Sequence, residues 1–413
     1  MAQLAGQRKV GRTMSEDESF PDRIGFQQRV IPTYRAPFFE HLAERMPRTR
    51  LQVFSGRPRK AEAVAEANDL GECPWVRGRN RYLGGERQYL LWQSGLERWL
   101  TAFVPQLLVL EANPGYLSNL LALWRMRSTG RPVIGWTLGP ARRARQGSSW
   151  APFLLNYYRS FDGLVTYSKA GARLFTGLGL AEERVFVAPN AVQPGDARRV
   201  TRMLDEDATL LFRWREELGL GAGPVVLFVG RLQPRKRVDL LLRACARQAR
   251  PVQLLVVGDG PDRARLEALA EETHPRTRFV GERFGLDLGI CFAVADLFVM
   301  PGTGGLALQE AMTYGKPVAV AEADGSQADL VQPGLNGWLL LPGEEDHLAM
   351  ILEEAMANPA RLHAMGEMSL TIVEREATLE RMGEGFISAI REVWSSKARS
   401  PRTGPFSATP REG

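Results

Sequence analysis

Arg231 and Lys236 lie on either side of Pro234 in "VVLFVGRLQPRKRVDLLLRA". The apolar run before them reads as a buried strand ending at Gly230, and the run after them as a helix. Proline suits a first helical turn, and the spare N–H groups there attract anions. Arginine binds an anion bidentately and lysine as a point charge. The pair fits a diphosphate clamp; a solvated basic turn is the alternative. In "PGTGGLALQEAM" (301–312), Gly302, Gly304 and Gly305 leave the backbone N–H groups around Thr303 and Leu306 unshielded, and a helix follows with Glu310 inside it. A carboxylate can accept two hydrogen bonds from the vicinal hydroxyls of a ribose. The neighbours Leu306, Leu308, Ala311 and Met312 indicate a mostly buried helix, where an unpaired carboxylate is costly. A solvated acid is the other reading. "VVGDGPDRARLEALA" repeats the strand, turn and helix, with Gly258 and Gly260 permitting close backbone approach or positive φ; α/β proteins also use such turns for packing.

Other candidates end strands of the first half, the edge at which open α/β sheets bind ligands. Arg35 follows the first strand and is read either as a phosphate contact or as a surface residue. Glu111 and Asn113 in "LEANPGYLSN" are polar candidates for contact with an acceptor, and an Asn-Pro turn is the structural alternative. Trp136 occupies the strand end "GWTLGP", and Tyr167 and Ser168 end another. Asn190 in "APNAV" shapes the loop where the first half closes. "DGSQAD" (324–329) offers backbone N–H groups to a phosphate or sugar.

Strand-sized apolar runs alternate with amphipathic stretches along the chain. They run from "RIGFQQRVI" to "RVFVAPNAV" in the first half and from "PVVLFVG" to "GWLLLPG" in the second. This rhythm predicts an α/β protein with two doubly wound parallel sheets. We expect a first domain over 21–195, a link over 196–222, a second domain over 223–380 and a terminal helix over 381–396, free to pack on either domain. Residues 1–20 and 397–413 read as disordered tails.

Cys73, Cys245 and Cys291 are far apart and lack metal spacing, so they read as free thiols in a reducing compartment. The four histidines do not pair at ligand spacing. No apolar run reaches membrane-spanning length, and the first residues lack the apolar core of a signal peptide. The expectation is a cytoplasmic protein, peripheral on the inner face of the plasma membrane if it meets lipid. Residues 1–200 carry 29 Lys and Arg against 17 Asp and Glu, net +12, whereas the remainder carries 24 against 30. A basic first half suits an anionic partner such as a membrane surface or a lipid-linked phosphate; solubility alone is the bland reading. Nothing beyond charge points to nucleic acid. No strand leads into a G-x-G-x-x-G with an acid about 20 positions on, which disfavours a dinucleotide oxidoreductase.

Taken in order, "VGRLQPRKRVDLLLRA", "VVGDGPDRARLEAL", "FVG" at 279–281, "PGTGGLALQEAMTYGKPVAV" and "DLVQPGLNGWLL" resemble the second domain of the family 4 (group 1) glycosyltransferases, which have the GT-B fold. "IPTYRAPFFEHLAERM" and the stretch ending in "APNAV" resemble the first domain more loosely. The resemblance implies two Rossmann-like domains facing across a cleft. A UDP- or GDP-sugar would bind the second domain, and a glycan, lipid-linked or small-molecule acceptor the first, in surface-polysaccharide or glycoconjugate synthesis. Arg231 and Lys236 would hold the diphosphate and Glu310 the ribose. The backbone of Gly302, Thr303, Gly304, Gly305 and Leu306 would approach diphosphate and sugar. Gly258 and Gly260 would line the donor site, and Gly281 would lie near the base. Arg35, Glu111, Asn113 and Trp136 would face the acceptor. The family retains anomeric configuration with no cofactor and no metal. Two departures stand out. The family's first motif glutamate, eight positions before Glu310, is replaced by Gly302, and its first-domain histidine is missing near "GWTLGP". These leave open a catalytically silent partner or nucleotide-binding subunit.

Overall fold

The computed structural model describes residues 20–399, except 60, 61, 63, 64, 86–88, 142, 143, 145–147, 324 and 342. Of the tails expected over 1–20 and 397–413, residues 1–19 and 400–413 lie outside the described residues, whereas 397–399 belong to the last helix, Leu379–Arg399, rather than to a tail. Among the described residues there are fifteen strands: β1 (Arg23–Gln28), β2 (Arg50–Ser55), β3 (Trp75–Arg77), β4 (Arg79–Gly84), β5 (Tyr89–Ser94), β6 (Leu107–Glu111), β7 (Val133–Thr137), β8 (Gly163–Thr166), β9 (Val185–Val187), β10 (Val225–Val229), β11 (Gln253–Val257), β12 (Thr277–Phe279), β13 (Leu297–Met300), β14 (Val318–Ala321) and β15 (Gly337–Leu340). A seven-stranded sheet has the order β3-β2-β1-β6-β7-β8-β9 and a six-stranded sheet the order β12-β11-β10-β13-β14-β15; every pairing in them is parallel. The α/β class with two Rossmann-like sheets agrees with the sequence reading.

The apolar runs are continuous because helices cover both faces of each sheet. β11, β13 and β14 are buried at every residue. The second sheet sits in one large core, and the first divides two layers of apolar side chains. The segment after β9 forms helices Gly195–Glu206 and Leu210–Glu217, whose Val200 and Trp214 join the second core. The last helix, Leu379–Arg399, returns to the first sheet. Its Phe386, Ile390 and Val393 pack with Phe26, Phe38 and Trp136. Among the described residues no helix is long and apolar enough to cross a membrane.

β3 and the antiparallel hairpin β4–β5 were not expected from the sequence. The inward residues of the hairpin include Asn80 and Gln93, and Gln93 is buried in a polar network with Gln27 and Asn119. Apolar periodicity does not reveal such an element.

Candidate active site

Residues at the carboxyl ends of the two parallel sheets meet. The Arg231 guanidinium, after β10, donates to the Glu62 carbonyl oxygen after β2 (3.1 Å). Gln309 Nε2, after β13, donates to the Asn190 carbonyl oxygen after β9 (2.8 Å). The Asp329 carboxylate accepts from the Lys169 backbone N–H (2.6 Å), so the segment read as a phosphate loop also contacts the first half. Carboxyl-end loops are where α/β sheets place ligands.

Lys236 ends a short 3₁₀ turn, Pro234–Lys236, after β10. It is buried, and its Nζ donates to the carbonyl oxygens of Thr303 (2.7 Å) and Gly304 (3.0 Å). The Thr303 N–H returns a bond to the Arg235 carbonyl oxygen (3.0 Å). The basic turn and the glycine-rich loop, read separately in the sequence, are therefore one unit. Gly302 is where they touch. A Cβ there would stand 2.3 Å from the Arg235 carbonyl oxygen and 2.5 Å from the Lys236 carbonyl carbon. No side chain fits at Gly302 unless the backbone of the turn moves. The glycine that stands where the sequence resemblance implied a glutamate is thus built into the packing of this loop.

Gly258 and Gly260 serve a related purpose. A Cβ on Gly258 would lie 2.1 Å from the Gly230 carbonyl oxygen, and one on Gly260 2.2 Å from that of Leu232. These glycines let the 230–233 and 258–260 loops lie against each other, joined by the Leu232 N–H to the Asp259 carbonyl oxygen (2.9 Å). Gly281 has φ +72° and accepts from the Gly258 N–H (2.8 Å). Its neighbour Arg263 is held by Asp259 (2.8 Å) and Glu267 (2.7 Å).

Glu310 lies in the first turn of helix Ala307–Thr313. Burial pushes its carboxyl up to about 7, and the nearby Asp196 carboxylate adds to the push. The same two acids, with burial, raise the Tyr314 hydroxyl one turn further on. Around this helix three buried oxygens, Thr303 Oγ1, Gln309 Oε1 and Asn190 Oδ1, have no hydrogen-bond partner among the described residues. Buried polar atoms are normally satisfied, and each of these can accept from a hydroxyl. Gln309 was not singled out in the sequence. Its signal was an amide inside an otherwise apolar helix, beside an acid that drew the attention.

On the first sheet the candidates divide. Arg35 is 5% exposed, with its guanidinium 4.8 Å from the Trp136 ring and 5.5 Å from the Tyr167 ring. Nη2 reaches the Tyr167 hydroxyl and Nη1 the Met382 sulfur, both at 3.4 Å. Glu111 shares this neighbourhood. Burial raises its carboxyl to about 7, against the opposing pull of Arg29 and Arg35. Asn113 is exposed and its Oδ1 accepts from the Gly115 N–H (2.9 Å), which makes it a turn residue. Trp136 is corrected: at 2% exposure, packed on Phe38 and Phe386, it is a core side chain that an acceptor does not reach. Strand ends in parallel sheets are commonly buried, and its position alone misled.

Residues 212–370 match the family described as "Glycosyl transferases group 1". Over 271 residues the chain is 34% identical to the GDP-mannose-dependent monoacylated alpha-(1-6)-phosphatidylinositol monomannoside mannosyltransferase of Corynebacterium glutamicum, an alignment covering 62% of this chain and 67% of that protein. The chain belongs to the group 1 glycosyltransferases. A GDP-mannose-dependent alpha-mannosyltransferase of Mycobacterium tuberculosis is 42% identical over 127 residues, 30% of this chain; the match spans only 32% of that relative's length. Among solved structures, Anabaena HepE in complex with UDP superposes with a TM-score of 0.67 at 20% identity, covering 91% of this chain and 100% of that one, and shows the GT-B fold. The turn, the glycine-rich loop and Glu310 of this glycosyltransferase all fall inside the matched stretch. Arg29, Glu62 and Asn190, which sequence reasoning passed over or treated only as loop residues, lie outside it. They come from the first sheet, and only the closed fold brings them to the second.

Proposed function

We propose that this chain transfers a sugar, with retention of configuration, from a nucleotide diphosphate sugar to a glycan, lipid-linked or small-molecule acceptor in glycoconjugate or surface-polysaccharide synthesis. One observation carries the reading: Lys236 Nζ is fixed on the Thr303 and Gly304 carbonyls beside the helix that bears Glu310. A cation, a glycine-rich backbone and a buried carboxyl on adjoining segments support a site for a diphosphate and a ribose. Arg231 and Lys236 meet the charge that develops on the leaving diphosphate, without a metal. Glu310 accepts from the ribose hydroxyls. The leaving phosphate assists the acceptor proton, so no enzyme nucleophile is needed. Arg35 and Glu111 line the acceptor side. The basic first half fits work at an anionic surface on the cytoplasmic side of the membrane.

The relatives named above direct the first test to GDP-mannose, with UDP-glucose beside it. A ligand that binds only the folded state raises the melting temperature. We expect a shift with one of these donors, slow hydrolysis of that donor, and release of the sugar with its anomeric configuration kept, as read by NMR. No shift with any common nucleotide sugar, together with no hydrolysis, rejects the proposal.

Glu310 supplies a pH test. Its carboxyl is raised to about 7, so donor binding to the carboxylate requires loss of a proton below that pH. Affinity for GDP-mannose should rise with pH, level off above about 7, and fall by up to about tenfold per pH unit below it. Glu310→Gln should flatten the profile at the weaker level. Calorimetric titration from acid to mildly alkaline pH distinguishes these outcomes, and a flat wild-type profile removes Glu310 from the site.

A further inference from the structure

Outside the cleft, the first sheet carries a second groove of about 1250 Å³ between β2, the β4–β5 hairpin and helix Leu96–Phe103. Six arginines line it, Arg50, Arg57, Arg59, Arg77, Arg79 and Arg98, with no aspartate or glutamate among the described lining residues. The side chains of Arg50, Arg57, Arg79 and Arg98 have no hydrogen bond or ion pair among the described residues. Some surface arginines elsewhere are paired, such as Arg247 with Asp346 and Arg361 with Glu354, and others, such as Arg199 and Arg276, are not paired among the described residues. What distinguishes the groove is that six arginines share one concavity without an acid among its described lining residues. Neighbouring like charges repel one another, and a bound anion relieves that repulsion.

The shape of the groove narrows the choice of anion. It follows β2 from Arg50 at the strand's start to Arg57 beyond its end, and β2 alone spans roughly 17 Å at about 3.3 Å per residue. Charges spread over that length suit an extended chain with repeated negative groups. Phe54 and Trp99 beneath the groove are core side chains, 0% and 3% exposed, so a ligand meets the arginines together with the polar lining residues Gln52, Asn80, Tyr82 and Ser94, groups that suit sugar hydroxyls. The groove is also linked to the cleft by contacts. The Arg59 guanidinium lies over Tyr82 (3.8 Å) and Tyr89 (4.4 Å). The Tyr82 hydroxyl accepts from Arg29 (3.1 Å), Arg29 pairs with Glu62 (2.7 Å), and the Glu62 carbonyl accepts from Arg231 (3.1 Å). The arginines line a concavity, and this relay of contacts joins its Arg59 end to Arg231.

We propose that this groove binds the acceptor as an anionic glycan, a sugar chain carrying carboxylate, sulfate or phosphate groups at intervals, whose end enters the cleft. The proposal rests on the glycosyl-transfer reading above. It is tested by titrating the full chain with an oligogalacturonate, a heparin-derived oligosaccharide and neutral maltoheptaose, and by sedimentation with phosphatidylglycerol vesicles. We expect at least one anionic oligosaccharide to bind, more weakly as salt rises, and the neutral one not to bind. Arg50→Glu/Arg79→Glu/Arg98→Glu should weaken that binding at least about tenfold and leave the donor-induced thermal shift unchanged. Arg199→Glu/Arg202→Glu/Arg276→Glu, the same charge change elsewhere, should keep both. Failure of both anionic oligosaccharides to bind overturns the proposal, as does equal weakening in the two triple variants. Binding to vesicles alone, lost in the groove variant, also overturns it and assigns the arginines to a membrane surface. Glycan binding without any donor shift would sink the glycosyl-transfer reading and leave the groove standing.

Discussion

Lys236→Ala is expected to lower donor turnover roughly 100- to 1000-fold, the loss seen when one preorganised donor to a developing negative charge is removed. Two effects combine. The leaving diphosphate loses a cation, and the carbonyls of Thr303 and Gly304 lose the ammonium that holds them. The second effect costs about 1–3 kcal/mol of stability, and it should loosen the loop leading to Glu310. Lys236→Arg separates the two. It restores charge but not the compact three-donor geometry at the two carbonyls, so the melting temperature should recover less than donor affinity does. Steady-state kinetics with donor saturation, set beside thermal melts of each variant, provide the measurement. Unchanged kcat in Lys236→Ala would exclude the residue from the reaction.

Gly302→Glu, which puts a glutamate where the sequence resemblance implied one, is expected to inactivate rather than improve the enzyme. The new Cβ meets the Arg235 carbonyl oxygen at 2.3 Å and the Lys236 carbonyl group at 2.5–2.6 Å. Backbone cannot rotate away as a flexible side chain can, so the 3₁₀ turn must shift and carry Lys236 with it. A destabilisation of about 3 kcal/mol and loss of the donor-induced thermal shift should follow. Gly302→Ala isolates the steric part, because it adds the Cβ without the carboxylate. It should show most of the loss. A Gly302→Glu variant with native melting temperature and raised turnover would mean that the loop relaxes, and would return this position to the donor-sugar site.

The two sheets were legible because strands buried on both faces are written as unbroken apolar runs, such as Val225–Val229 and Val318–Ala321. The donor wall was legible for a related reason. Glu310 stood out against Leu308, Ala311 and Met312, and glycines cluster where backbones must approach. Sequence could not show what those glycines approach. Gly258, Gly260 and Gly302 turn out to face neighbouring backbone. Contacts that join distant segments left no local trace. Arg29, Glu62 and Arg231 meet across up to about two hundred positions, and the groove arginines are scattered from 50 to 98. Trp136 shows the converse, since a polar-looking strand end became core once Leu379–Arg399 packed over it.

That returning helix also bears on the order in which the chain is assembled. Phe386 and Val393 complete the layer that covers Phe26, Phe38 and Val165, so the first sheet keeps an uncovered apolar face until residues 379–399 have been synthesised. The second sheet, with its intervening helices, is contiguous between residues 195 and 377 and has its core partners within that span. The unit that begins first therefore finishes last, after closing a loop of more than three hundred residues. Loop-closure cost rises only slowly with length, but contacts so remote in sequence form late. The contiguous unit is the natural first folding nucleus, and the first sheet is the part that needs shielding while it waits.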